Sequence, residues 1–122
     1  MIKGQNRLRL SRHIKRAFEK GVAWQGPFFK VKAYFRKDSA NQPARLAVVS
    51  FKKTSSRAVD RNLIRRRLKA VFKDLLKTLP GWDLVILSRS EAQTADFKKL
   101  QDEAKKCSSF LQSKQSESTK KP

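Results

Sequence analysis

Apolar residues recur along the chain with two different periods, and the switches between them mark its elements. Ile14, Ala17 and Phe18 sit at helical spacing among Arg12, Lys15, Arg16 and Lys20. With Ser11 as a capping residue before them and Gly21 as a stop after them, they predict a short basic amphipathic helix. From Phe28 to Phe35 the period drops to two. Phe29, Val31, Ala33 and Phe35 fall on one face, expected to be core, and Phe28, Lys30, Lys32 and Tyr34 on the other. The polar stretch 36–44 reads as a hairpin loop, and RLAVVSF at 45–51 as a more uniformly apolar, hence central, strand.

The helical period then returns over Ala58–Thr78, ended by Pro80 and Gly81, with Ser55 or Ser56 placed to cap it. On a helical wheel Ile64, Leu68, Val71, Phe72 and Leu75 form one stripe. Asn62, Arg65, Arg66, Lys69 and Lys73 form an arc centred about 100–140° away. WDLVILS at 82–88 is a short apolar run, consistent with a buried strand that completes a strand–helix–strand unit. Phe97, Leu100, Ala104, Cys107 and Leu111 give a last helix over Ala92–Leu111. No apolar residue follows, so residues 1–112 are expected to form one domain and 113–122 a disordered polar tail. With room for a further strand near Val22–Trp24, the pattern is that of a small α+β sandwich: a central, mainly antiparallel sheet of about four strands with flanking helices.

Charge changes the picture from fold to function. The 122 residues carry 30 Lys and Arg against 10 Asp and Glu, a net +20. Residues 1–77 hold 22 basic and 4 acidic side chains, whereas 78–122 hold 8 and 6. Self-repulsion of this size calls for a polyanionic partner, and nucleic acid is the leading one. A membrane surface would need a basic amphipathic segment with Trp, Phe or Leu laid along one face, or a lipid anchor, and neither is evident. No apolar run reaches the roughly 18 residues of a membrane span. One cysteine and one histidine exclude an internal disulfide and a Cys/His zinc cage, so an intracellular, metal-free protein is expected.

The helix 61–73, RNLIRRRLKAVFK, is the most specific signal. A solvated helix face usually interleaves acids at i, i+4, but Asp74 is the one acid between Arg61 and Lys77. Several arginines on one rigid helix can each grip phosphate by paired hydrogen bonds. The Phe28, Lys30, Lys32, Tyr34 face interleaves aromatics with cations, as a single-strand-binding surface does. His13 reads as a helix surface residue and Cys107 as packing. Asp102 and Glu103 are adjacent in sequence and point apart, so neither a protein acid–base pair nor a two-metal site is indicated.

These residues resemble the protein component of bacterial ribonuclease P. The likeness runs from RLxxSxxxxxxFxxG at 7–21, through SFKK at 50–53 and AVDRNLIRRRLKAVF at 58–72, to WDLVILSR at 82–89. The family's signature helix carries an Arg-Asn-Arg core; Arg61 and Asn62 match it, but Leu63 stands at the second arginine, and Arg65, Arg66 or Arg67 is expected to compensate.

The resemblance implies a left-handed strand–helix–strand crossover and a cytoplasmic protein, with one copy per ribonuclease P RNA. It implies that the basic loop (Lys52, Lys53, Arg57) and the signature helix (Arg61, Asn62, Arg65, Arg66, Lys69, Lys73) dock on that RNA. It also implies that a cleft between the first helix and the sheet receives the 5′ leader of precursor tRNA. Arg12, Ile14, Phe18, Phe28, Lys30, Lys32 and Tyr34 are the expected lining. Lys30 and Lys32 stand where relatives often carry apolar or aromatic residues, which shifts the cleft from stacking toward charge. Catalysis would rest on Mg²⁺ held by the RNA, with no cofactor and no catalytic residue on the protein. A stand-alone RNA- or DNA-binding protein, such as a ribosomal protein, is the alternative from another class; a protein-only nuclease lacks carboxylates for the work.

Overall fold

The structure, a computed structural model, describes residues 7–8, 11–37, 41–49, 57–92 and 95–120. In chain order these form α1 (Ser11–Lys20), β1 (Val22–Gln25), β2 (Phe29–Phe35), β3 (Arg45–Val49), α2 (Ala58–Phe72), β4 (Trp82–Ser88) and α3 (Phe97–Lys120), with 3₁₀ turns at Leu75–Thr78 and Ser90–Ala92. The strands lie in the order β1-β2-β4-β3. β1–β2 and β2–β4 are antiparallel, whereas β3 runs parallel to β4, to which it is connected through α2. The expected α+β sandwich on a mainly antiparallel sheet is what forms.

α2 and α3 cover one face of the sheet. Phe29, Val31 and Ala33 from β2 and Leu84 and Ile86 from β4 meet Ile64, Leu68 and Phe72 of α2 and Leu100, Ala104, Cys107 and Leu111 of α3, all buried. On the other face α1 packs over a smaller cluster of Leu8, Ala17 and Val85, flanked by Ile14, Tyr34, Ala47, Val49 and Leu87. β4 is buried along both faces, Asp83 included, because both faces are covered.

Several boundaries differ from the sequence reading, each for a packing reason. β3 is an edge strand rather than a central one; its apolar run reflects cover from both layers, and Leu8 N–H donates to Leu46 C=O along its outer edge at 3.0 Å. The 36–44 segment is therefore not a hairpin, since β4 lies between the strands it joins. α2 stops at Phe72, and the chain tightens to a 3₁₀ turn that buries both Leu76 and Leu79, three residues apart. Its N-cap is Arg57, which makes no side-chain cap hydrogen bond; Ser55 and Ser56 lie outside the described residues. Gly81 takes a φ of 86°, which explains why glycine follows Pro80 at the entry to β4.

α3 begins at Phe97, where Asp96 Oδ1 accepts from Lys98 N–H at 3.2 Å. It continues to Lys120, so the expected tail is helical that far, with neither Gly nor Pro to stop it before Pro122. Among the described residues no helix is long and apolar enough to cross a membrane.

Candidate nucleic-acid interface

Two surfaces emerge from this framework, on opposite layers of the molecule. The first is the outer side of α2. Burial of Ile64, Leu68, Val71 and Phe72 turns Asn62, Arg66, Lys69 and Lys73 into solvent, with Arg61 and Arg65 half-exposed beside them. Arg65 donates to the Asn62 side-chain oxygen, aligning the two one helical turn apart. Arg57 stands exposed at the helix start, 3.8 Å from Asp60. Leu63 is half-buried, off the apolar stripe and off the basic arc. Arg67 is differently engaged: its guanidinium donates to Ala92 C=O at 3.0 Å and to Ala95 C=O, tying the start of α3 to α2. That removes Arg67 as a substitute for the charge missing at Leu63. Lys52 and Lys53 lie outside the described residues.

The second surface is the trough between α1 and the sheet. α1 packs across β4 and β2; Leu8, ahead of the helix, pairs with Leu46 of β3, and the helix ends beside β2 at Gly21. A Cβ on Gly21 would stand 2.4 Å from the Ala33 carbonyl oxygen, so the helix end lies directly on the strand. Because α1 runs across the strands, its flanks look along them. Arg16 and Phe18 project about 100° to either side of the buried Ala17. Arg16 is fixed over the row Tyr34, Asp83, Arg45; by helix periodicity Phe18, 40% exposed, falls on the opposite flank, the one nearer the rows of Lys32 beside Val85 and Lys30 beside Leu87. Ile14 and Phe18 above, with Lys30, Lys32, Leu87 and Val49 below, give a trough with an apolar wall and a floor bearing two cations.

The expected lining therefore divides. Arg12 is exposed on α1; Ile14 and Phe18 share one flank of the helix by its periodicity, and Lys30 and Lys32 alternate with the core residues of β2 and so lie on the α1 side of the sheet. Phe28, expected on the same face, packs against the main core instead, because the strand begins one residue later and the alternation does not extend to it. Tyr34 sits on the far flank of α1, its ring under the Arg16 guanidinium at 4.4 Å.

That far flank holds residues sequence reasoning missed. Asp83, 0% exposed, accepts from Arg45 Nε and Nη2 at 2.7 Å each and from Arg16 Nη2 at 3.1 Å. Arg36 Nε stands 3.1 Å from the same carboxylate, while its Nη2 donates to Pro43 C=O at 2.6 Å. The signal was an acid inside the otherwise apolar WDLVILS, which must be paired if that strand is buried. Burial lowers the Arg36 pKa; Asp83 opposes this, and Arg45 and Arg16 add to it. His13, half-buried beside this cluster rather than fully on the surface, has its pKa likewise lowered, by burial first and then by Arg45 and Arg16. Cys107 is buried on the core-facing side of α3, and burial pushes its thiol up to about 12.

No group of three or more His, Cys, Asp or Glu able to hold a metal occurs among the described residues, and Asp83 is already surrounded by guanidinium groups.

The family model described as Ribonuclease P matches residues 2–112. The ribonuclease P protein component of Cyanothece sp. (strain PCC 7425 / ATCC 29141) is 32% identical over 119 residues, covering 86% of this chain and 91% of its own. That of Pseudanabaena sp. (strain PCC 6903) is 33% identical over 106 residues, covering 86% and 90%. The solved RNase P protein from Thermotoga maritima superposes with a TM-score of 0.65 at 27% identity, covering 79% of this chain and 88% of that one.

Proposed function

Because the chain belongs to the ribonuclease P protein family, we propose that it is the protein subunit of a ribonucleoprotein endonuclease and helps a catalytic RNA remove the 5′ leader of precursor tRNA in the cytoplasm. The observation that carries this reading is the separation of two RNA-compatible surfaces: the acid-poor outer arc of α2 on one layer and the trough beneath α1 on the other. One chain can then engage two polyanions at once. The α2 arc, with Lys52, Lys53 and Arg57 leading into it, docks on the ribonuclease P RNA, one protein per RNA, and releases its condensed counterions. The trough holds the single-stranded leader, Phe18 offering a stacking face and Lys30 and Lys32 meeting phosphates.

Phosphodiester hydrolysis is assigned to the RNA with its Mg²⁺. The protein's own residues bind and select: mature tRNA has no leader, so contacts in the trough favour the precursor alone, a difference in affinity that needs no protein acid or base.

The test is reconstitution with the catalytic RNA. The protein alone should leave precursor tRNA intact, and in the complex it should lower the Mg²⁺ requirement and bind precursor more tightly than mature tRNA. Cleavage by the protein unaided, or equal affinity for the two tRNAs, contradicts the reading. Tight RNA binding with no effect on cleavage would favour a stand-alone binding protein.

A further inference from the structure

The wall of the trough is one flank of α1, and what holds that wall in place lies on the other flank. Ala17, fully buried, and Gly21, against the Ala33 carbonyl, bring the helix backbone close to the sheet. To one side of this contact line the Arg16 guanidinium reaches down to Asp83 at 3.1 Å and lies over the Tyr34 ring at 4.4 Å, a lateral tether between helix and sheet. Asp83 is in turn held by Arg45 on β3 and by Arg36 just after β2. The tether therefore joins α1 to the same strands that form the trough floor.

We propose that Arg16 is a positioning residue for leader selection: through Asp83 and Tyr34 it sets the roll of α1, and with it the gap between Phe18 and the Lys30–Lys32 floor, without touching the leader. The inference rests on the reading that the trough takes the leader. It also reassigns Tyr34, whose covered ring face serves as a bearing for Arg16 rather than as a platform for a base.

The experiment measures affinity of the reconstituted RNA–protein complex for precursor and mature tRNA across a salt series, with wild type, Arg16→Gln, Arg16→Lys and Lys15→Gln. In Arg16→Gln the carboxylate of Asp83 keeps Arg45 and Arg36, so the buried charge stays compensated and the fold is retained. Precursor affinity should fall roughly tenfold, the worth of one charge-assisted hydrogen bond, with mature-tRNA affinity and the salt slope unchanged. Arg16→Lys, with a cation still in reach of Asp83, should recover most of the loss. Lys15→Gln removes the same charge from the exposed side of α1 and should leave the precursor-to-mature ratio alone.

A salt slope smaller by about one unit in Arg16→Gln would mean that Arg16 grips a leader phosphate directly and would overturn the proposal. So would equal losses for both tRNAs, a lysine variant as poor as the glutamine one, or no effect. Absence of precursor preference in wild type would instead sink the leader reading itself and this inference with it.

Discussion

Arg65 and Arg66 on α2 lie in a stretch where Asp74 is the one acid between residues 61 and 77, whereas Arg16, Arg36 and Arg45 crowd around the buried carboxylate of Asp83. Both groups contribute to the same net charge of +20, and composition does not separate them. The difference is one of solvation. On α2 the positive field is left open to solvent and stays available to phosphate. Beneath α1 it is spent on holding a helix to a sheet, where a guanidinium can leave water only because an acid meets it. A basic protein is thus not uniformly an RNA-binding surface; the position of the acids decides which cations are free.

That contrast can be broken at several points. The largest effect should come from Asp83→Ala, which strands three guanidinium groups around an uncompensated site. Stability should fall by about 3–5 kcal/mol, read as a lower urea midpoint with an unchanged slope. Arg67→Gln should cost about 2 kcal/mol by releasing the Ala92 and Ala95 carbonyls, while RNA affinity at a given salt stays the same in the fraction that is folded. Phe18→Ala should leave the melting temperature nearly untouched, because the ring is largely outside the core. It should nonetheless weaken precursor binding roughly tenfold with no change for mature tRNA.

The smallest effect concerns pH. Burial favours the neutral Cys107 thiol, whose pKa rises from 9.0 to about 12. The stability it contributes is therefore fully present below the unfolded value and is lost as pH rises through the interval between the two. Consistent with this, alkylation at pH 8 should proceed only through unfolding, which is measured by mass spectrometry with and without denaturant.

Much of this arrangement is written in hydrophobic period. The Phe29–Val31–Ala33 alternation and the Ile64–Leu68–Val71–Phe72 stripe both become core, and the acid-poor arc beside that stripe is solvent-facing as expected. Strand order is not local information: an edge strand covered on both faces has the same apolar run as a central one, so the segment 45–51 reads as central. Phe28 was misplaced because alternation holds only inside a strand, and the strand starts at Phe29. The Asp83 cluster joins side chains from α1, β3, β4 and the segment after β2, so only the lone acid in WDLVILS hinted at it. The same holds for Arg67, which looks like its neighbours until the segment leading into α3 is seen to lie against it.

On the proposed function, charge left unopposed on the outer arc of α2 docks the protein on its RNA. The most direct test of this docking is the salt dependence of binding to the ribonuclease P RNA for wild type, Arg65→Gln/Arg66→Gln and Arg67→Gln. The double variant should bind more weakly and lose about two units of log–log slope, and Arg67→Gln should keep the wild-type slope. A double variant with the wild-type slope, or an Arg67→Gln slope that falls as far per residue, would contradict the account.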